Sequence, residues 1–312
     1  MQHNPTIIPP PLRRGDCIGL FSPAGPVRDK NRVAAGIRLL HELGFRTRQL
    51  RSGKESHAYL AADDQTRANE FHALWADDDI RALMAVRGGY GCLRIIDSLD
   101  FALLRTRPKL LIGFSDVTIL LNTISERTGL ITVHGPVVSS LIDCDRDSLQ
   151  AFTTLLAGDL HEYRFPRQVE VLRPGKASGI LRGGNLATLV HLVGTSWDIS
   201  WDGALLFLED TGEPMYKIDR MLTQLFLGGR LNNLAGLILG TFDSRDAADR
   251  QRFQEQVWNR VLELTVRSGY PVLGGFPAGH LEMNHPLPIG GAATLDTGNG
   301  CLRLHALSDT LK

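Results

Sequence analysis

Residue 115 is a serine placed where one sequence pattern stops and another starts. In Lys109–Leu121, KLLIGFSDVTILL, the apolar run Leu110–Phe114 ends at Ser115, and Val117, Leu120, Leu121 and Ile124 then recur at helical spacing. The run is short and bounded by Pro108, as a buried parallel strand would be. Ser115 is therefore expected at the carboxyl end of a strand and the amino end of a helix. Unpaired backbone N–H groups and the positive end of the helix dipole favour an anion there. A serine that attacks a carbonyl builds up a tetrahedral oxyanion, and such a corner would stabilise it. Gly113–Val117, GFSDV, keeps the first glycine of a GxSxG turn and lacks the second. A serine that merely caps a helix would look the same in this stretch.

A serine nucleophile needs a base within hydrogen-bond reach, and the base needs an acid to orient it. Of the ten histidines, His134, His280 and His285 fall in loops flanked by glycine or proline, where functional side chains are often displayed. Glu209 ends the apolar run GALLFL, where a carboxylate is costly unless paired, and is the candidate acid. Asp210 would point the other way along a strand, and Glu213, just before Pro214, suits a helix start. The loop Arg87-Gly-Gly-Tyr-Gly91 follows another apolar run. Its glycines allow a tight turn or a close approach, and a backbone N–H there could serve an oxyanion. The spacing of a dinucleotide-binding loop is missing. No HExxH pattern and no Cys/His cluster points to a metal.

These residues need a scaffold with several strand ends on one side. Strands are expected near 16–22, 45–50, 80–86, 109–114 and 131–134, alternating with helices near 28–43, 64–76, 115–128 and 147–157. The alternation predicts a doubly wound parallel sheet for residues 1–157, with ligands outside the carboxyl ends of its strands. Residues 158–175 are expected to be a crossing linker. Residues 176–312 are expected to form a smaller mixed α/β domain, with strands near 178–181, 203–208, 234–239, 270–273, 292–295 and 302–304. Helices are expected to open at Gly183-Gly-Asn185 and at Pro214, and over 248–267.

Lysine plus arginine and aspartate plus glutamate balance at 34 each, so no basic footprint for nucleic acid is expected. No apolar run reaches membrane-spanning length, and the proline-rich start has no export-signal pattern. Cys17, Cys92, Cys144 and Cys301 are far apart in sequence, as free thiols in a reducing compartment would be.

In order along the chain, several short motifs together resemble the LD-carboxypeptidase family of serine peptidases, the muramoyl-tetrapeptide carboxypeptidases. They are Gly15-Asp16 with Ser22–Pro26, Arg87–Gly91, Gly113–Asp116, His134-Gly-Pro136, Gly183–Asn185, Leu208–Asp210 with Tyr216–Arg220, and Gly275–His280 before Pro286–Gly290. The resemblance spans nearly the whole chain. It implies a Ser-His-Glu triad of Ser115 as nucleophile, His280 as general base and Glu209 as orienting acid. It also implies an oxyanion hole of backbone N–H groups, assigned by motif to Asp116 and Gly89. The implied fold is a flavodoxin-like N-terminal domain and a smaller α/β C-terminal domain, with the site between them. The implied reaction releases the terminal D-alanine of murein tetrapeptides during peptidoglycan recycling, in a cytoplasmic homodimer with no metal or organic cofactor, no nucleic acid and no membrane. Two alternatives share the scaffold: a hydrolase of microcin C-type peptidyl-nucleotides that confers antibiotic immunity, and a non-catalytic ligand-binding relative. His285, five residues after His280, interrupts the family pattern.

Overall fold

Apolar runs too short to be helices pair side by side, and the computed structural model builds two sheets from them. It describes residues 5–50, 57–166, 169–244 and 249–305. The strands are β1 Cys17–Phe21, β2 Arg46–Gln49, β3 Ile80–Ala85, β4 Leu110–Gly113, β5 Thr132–His134, β6 Glu162–Arg164, β7 Glu170–Arg173, β8 Lys176–Asn185, β9 Ala204–Thr211, β10 Gly236–Asp243, β11 Val272–Gly274, β12 Leu287–Ile289, β13 Ala292–Asp296 and β14 Cys301–Leu304. The helices are α1 Lys30–Glu42, α2 Asp64–Ala76, α3 Cys92–Ile95, α4 Phe101–Thr106, α5 Thr118–Thr128, α6 Arg146–Leu156, α7 Leu186–Leu189, α8 Met215–Leu227 and α9 Arg250–Leu264. The expected start of the last helix at 248, and the chain ends 1–4 and 306–312, lie outside the described residues.

The first sheet runs β12-β5-β4-β3-β1-β2, and its first five strands in sequence are parallel. The order β2-β1-β3-β4-β5 is that of a flavodoxin-like sheet, whose strand order reverses between β1 and β3. The second sheet runs β6-β14-β13-β8-β9-β10-β11-β7. Its centre, β8 to β11, is parallel and its flanks are antiparallel. The chain is thus an α/β protein with a parallel N-terminal sheet and a mixed C-terminal one, as expected. Leucines and isoleucines of both sheets are buried together: Ile112 and Phe152 from the first half share a core with Phe207 and Phe276 from the second.

Residues 158–175 do not behave as a plain linker. They supply β6 and β7 to opposite edges of the second sheet. Both strands are short, and β7 is largely exposed, so neither has the apolar signature of a central strand. β12 likewise escapes the pattern because it carries Pro288, which a sheet tolerates only at an edge. It leaves the second half to pair antiparallel with β5 on the edge of the first sheet. Gly183–Asn185, expected to open a helix, instead end β8, and α7 follows. Asn185 caps α7 by accepting the Thr188 N–H at 3.0 Å.

Candidate active site

At the end of β4 the chain turns into a single 3-10 turn, Ser115–Val117, and then into α5. Ser115 has φ +62°, a left-handed conformation that serine adopts only under constraint. It does not cap a helix. The residue at the cap position is Phe114, and no side chain caps either the turn or α5. The N–H groups at this corner are thus left for something other than a side-chain cap.

Glycines pack the neighbouring loop onto the serine. A Cβ at Gly88 would lie 2.8 Å from Ser115 Cβ and 2.9 Å from Ser115 Oγ. Gly89 has φ +127° and comes within 3.1 Å, by the same measure, of the Gly25 nitrogen. Gly25 N–H in turn donates to Gly88 O at 3.3 Å. The loops after β1 and β3 therefore meet at the strand-order reversal, over Ser115. Asp116 is buried, and its carboxylate accepts the Cys92 N–H at 2.8 Å, tying the serine turn to the start of α3. Burial raises the Asp116 pKa. The Gly89 N–H donates to no backbone carbonyl among the described residues.

The candidate acid and base come from the second half. Glu209 lies in β9 and is fully buried, and His280 follows the glycine turn after β11. His280 Nδ1 donates to Glu209 Oε2 at 2.7 Å. Gly279, at φ +138°, makes this fit possible: a Cβ there would lie 3.0 Å from Glu209 Oε2 and 2.2 Å from Thr241 Oγ1. Burial disfavours the charged imidazole, but the Glu209 carboxylate outweighs it and holds the His280 pKa above its ordinary value. Burial also works against a charged Glu209, and there the charge and hydrogen bond of His280, with smaller help from His134 and Asn185, win and lower its pKa.

What brings the halves together is α5, the helix that starts beside the serine. Asn122 on α5 donates to Gly183 O and accepts from Gly183 N–H, both at 2.8 Å, and Thr118 Oγ1 accepts the Asn185 N–H at 3.1 Å. A Cβ at Gly184 would clash with Thr118 Oγ1 at 2.6 Å, so glycine there lets α5 lie against β8. β8 then sets Asn185 opposite Glu209. On the other side of the seam, the Phe114 ring packs on His280 with centroids 4.5 Å apart. The structure thus joins Glu209 to His280 and seats His280 on the residue before Ser115. Among the described residues, no hydrogen bond joins Ser115 Oγ to His280.

The other candidates have structural partners. His134 is fully buried between the edges of Phe114 and Phe207, neither ring nitrogen has a hydrogen-bond partner, and burial lowers its pKa to about 4. His285 stacks on Tyr163 at 5.1 Å, and its N–H donates to Pro277 O. Asp210 accepts the Ala187 N–H at 2.7 Å, and burial, reinforced by Glu209, raises its pKa to about 7. Glu213 pairs with Lys217 at 3.0 Å. A cavity of about 730 Å³ opens beside His280, lined by Phe114, Asp143, Asp145, Arg250 and Glu282 among others. That volume suits a short peptide. Asn122 carries much of this arrangement without any signature that would single it out in the sequence, and the motifs that hold Gly88 and Gly184 do not show what packs against them. Among the described residues, no group of three or more His, Cys, Asp or Glu side chains could hold a metal ion, and no helix is long and apolar enough to cross a membrane.

Comparison with known proteins places these features in a family. Residues 18–135 match the LD-carboxypeptidase N-terminal domain, and residues 178–295 match the LD-carboxypeptidase C-terminal domain. The chain is 36% identical to a probable murein peptide carboxypeptidase of Bacillus subtilis, over 93% of this chain and 91% of that protein. Its structure is similar to that of the microcin C7 self-immunity protein MccF in complex with adenosine monophosphate. There the TM-score is 0.87, with 26% identity over 97% of this chain and 100% of that one. It is also similar to a muramoyltetrapeptide carboxypeptidase from Oxalobacter formigenes, with a TM-score of 0.78 and 29% identity over 92% of this chain and 97% of that one. The chain belongs to the LD-carboxypeptidase family of serine peptidases.

Proposed function

We propose that this protein hydrolyses the amide between an L-centre and a C-terminal D-amino acid, and that its substrate is a murein tetrapeptide that loses its terminal D-alanine. The observation that carries the reading is the 2.7 Å Glu209–His280 pair seated against Phe114, next to the strained Ser115. The name of the Bacillus relative supports the substrate class. His280 takes the Ser115 proton, and Ser115 Oγ attacks the scissile carbonyl carbon. The oxyanion rests on the N–H groups of Asp116 and Gly89. His280 then gives its proton to the leaving amine and the C–N bond breaks; water, deprotonated by His280, attacks the acyl carbon, and His280 returns the proton to Ser115 Oγ as the ester C–O bond breaks. In this reading the enzyme works in cytoplasmic peptidoglycan recycling, as a homodimer.

The test is release of D-alanine from L-Ala–γ-D-Glu–diaminopimelate–D-Ala, with Ser115→Ala and His280→Ala as controls. Each variant is expected to lose several powers of ten in rate, as triad deletions do. Full activity in either one rejects the assignment. The TM-score of 0.87 to MccF supports a second substrate, a peptidyl-nucleotide of the microcin C type. Turnover of that substrate in preference to the tetrapeptide would select it. Failure of a fluorophosphonate to label Ser115, with ligand still bound, would instead point to a binding protein.

A further inference from the structure

Removing a single terminal residue requires that the enzyme recognise a free carboxylate next to the scissile bond. The carboxylate carbon of the leaving residue is three bonds from the scissile carbonyl carbon, or about 4 Å away. The carbonyl carbon itself must come within about 3 Å of Ser115 Oγ. The cation that holds the carboxylate must therefore belong to the immediate surroundings of Ser115.

Arg87 is the residue before Gly88, whose Cα faces Ser115 directly. It is partly buried in the crevice where the loops after β1 and β3 meet. Its guanidinium lies over Gly25, where a Cβ would be 2.8 Å from Nη1, so a larger residue at 25 would displace it. Nη1 donates to Pro26 O at 2.8 Å. The guanidinium makes no other hydrogen bond and no ion pair among the described residues, which leaves donors of its fork unused. Other arginines are committed: Arg32 to Asp143, Arg46 to Asp79, Arg94 to Asp64 and Arg250 to Asp243. Burial, with the nearby charge of Arg28, lowers the Arg87 pKa, and no carboxylate of the described residues opposes them. A partly buried cation without a counter-charge is costly to keep. The cavity beside His280 carries Asp143, Asp145 and Glu282, and its Arg250 is already paired with Asp243, so its lining disfavours a carboxylate.

We propose that Arg87, with Arg28 beside it, binds the terminal α-carboxylate of the leaving D-amino acid and so restricts the enzyme to the last residue of its substrate. The assignment rests on the reaction proposed above. A planar fork meeting a planar carboxylate gives two parallel hydrogen bonds, which fixes the direction of the substrate as well as its affinity.

The experiment compares kcat/KM for the tetrapeptide acid with that for its C-terminal carboxamide. The wild-type protein should prefer the acid, and Arg87→Ala should reduce that preference by about 10- to 100-fold, the worth of a charged hydrogen bond. Arg87→Lys keeps the charge without the fork and should fall between the two. Arg28→Ala should lower the preference more weakly. If Arg87→Ala does not fold, the lysine and Arg28 variants carry the comparison, and an unchanged preference in both overturns the proposal. Ligand-observed NMR of N-acetyl-D-alanine against N-acetyl-D-alaninamide separates the subsite from the reaction. Suppose the wild type cleaves no tetrapeptide. Carboxylate-selective binding that weakens in Arg87→Lys then leaves the subsite standing and removes the reaction, whereas no selectivity in the wild type removes the subsite too.

Discussion

His280 Nδ1 and Glu209 Oε2 lie 2.7 Å apart and join the loop after β11 to strand β9 of the second sheet. This pair fixes the proton inventory of the site. Nδ1 is committed to the carboxylate, so the other ring nitrogen is the one that can serve Ser115 in the proposed reaction.

The pair sets a pH dependence. Because Glu209 raises the His280 pKa, the acid limb of kcat/KM should have its midpoint above 6.5, the ordinary histidine value. Glu209→Gln removes the charge and leaves burial dominant, so the limb should move to lower pH while the plateau falls by about 10³- to 10⁴-fold. A limb that stays in place when Glu209 is neutralised would show that it does not belong to His280.

Ser115 has a stability signature separate from its chemistry. At φ +62° glycine costs less than serine or alanine, so Ser115→Gly should unfold at higher denaturant than Ser115→Ala, by about 1 kcal/mol. Both variants should be inactive. Equal stability of the two in urea titrations would mean that the left-handed conformation is not held in solution.

Gly88 tests the fit of the loop over Ser115. Gly88→Ala would place a methyl group 2.8 Å from Ser115 Cβ. Displacement of the serine by a few tenths of an ångström to one ångström should cost about 10²-fold in kcat/KM. Thermal unfolding should change far less than activity does.

His134 should make the protein sensitive to acid. With its pKa near 4 in the folded state and 6.5 when exposed, the unfolded chain binds the proton and the folded chain does not. Stability therefore falls as pH drops below 6.5. Between pH 7.5 and pH 5 this one group should remove about 2 kcal/mol. His134→Leu should lose about that much less than the wild type over the same interval in denaturant titrations. Identical losses would mean that His134 is not neutral and buried.

The corner at Ser115 was legible because a strand pattern and a helix pattern abut there with nothing between them. His280 and Glu209 were recognisable through motifs, and the helices through the helical spacing of their apolar residues. The edge strands β6 and β7 were not legible, since a short strand paired on one side and exposed on the other needs no apolar alternation. β12 was hidden by Pro288. The roles of Gly88 and Gly184 depend on what approaches them from 27 and 66 residues away, Ser115 and Thr118 respectively, and a glycine carries no mark of its neighbour. Nor does the run GFSDV announce the left-handed turn at its serine.

The loop that carries His280 begins at the end of β11 in the second sheet and ends at the start of β12 in the first. His280, the proposed base, is therefore mounted on a strap anchored in both halves of the molecule. Expressing the halves as separate polypeptides would cut this strap's anchorage and leave β5 with an unpaired edge, a template for aggregation. Inactivation and global unfolding should accordingly share one transition, because the protein has no way to keep its base in place while letting its two sheets part.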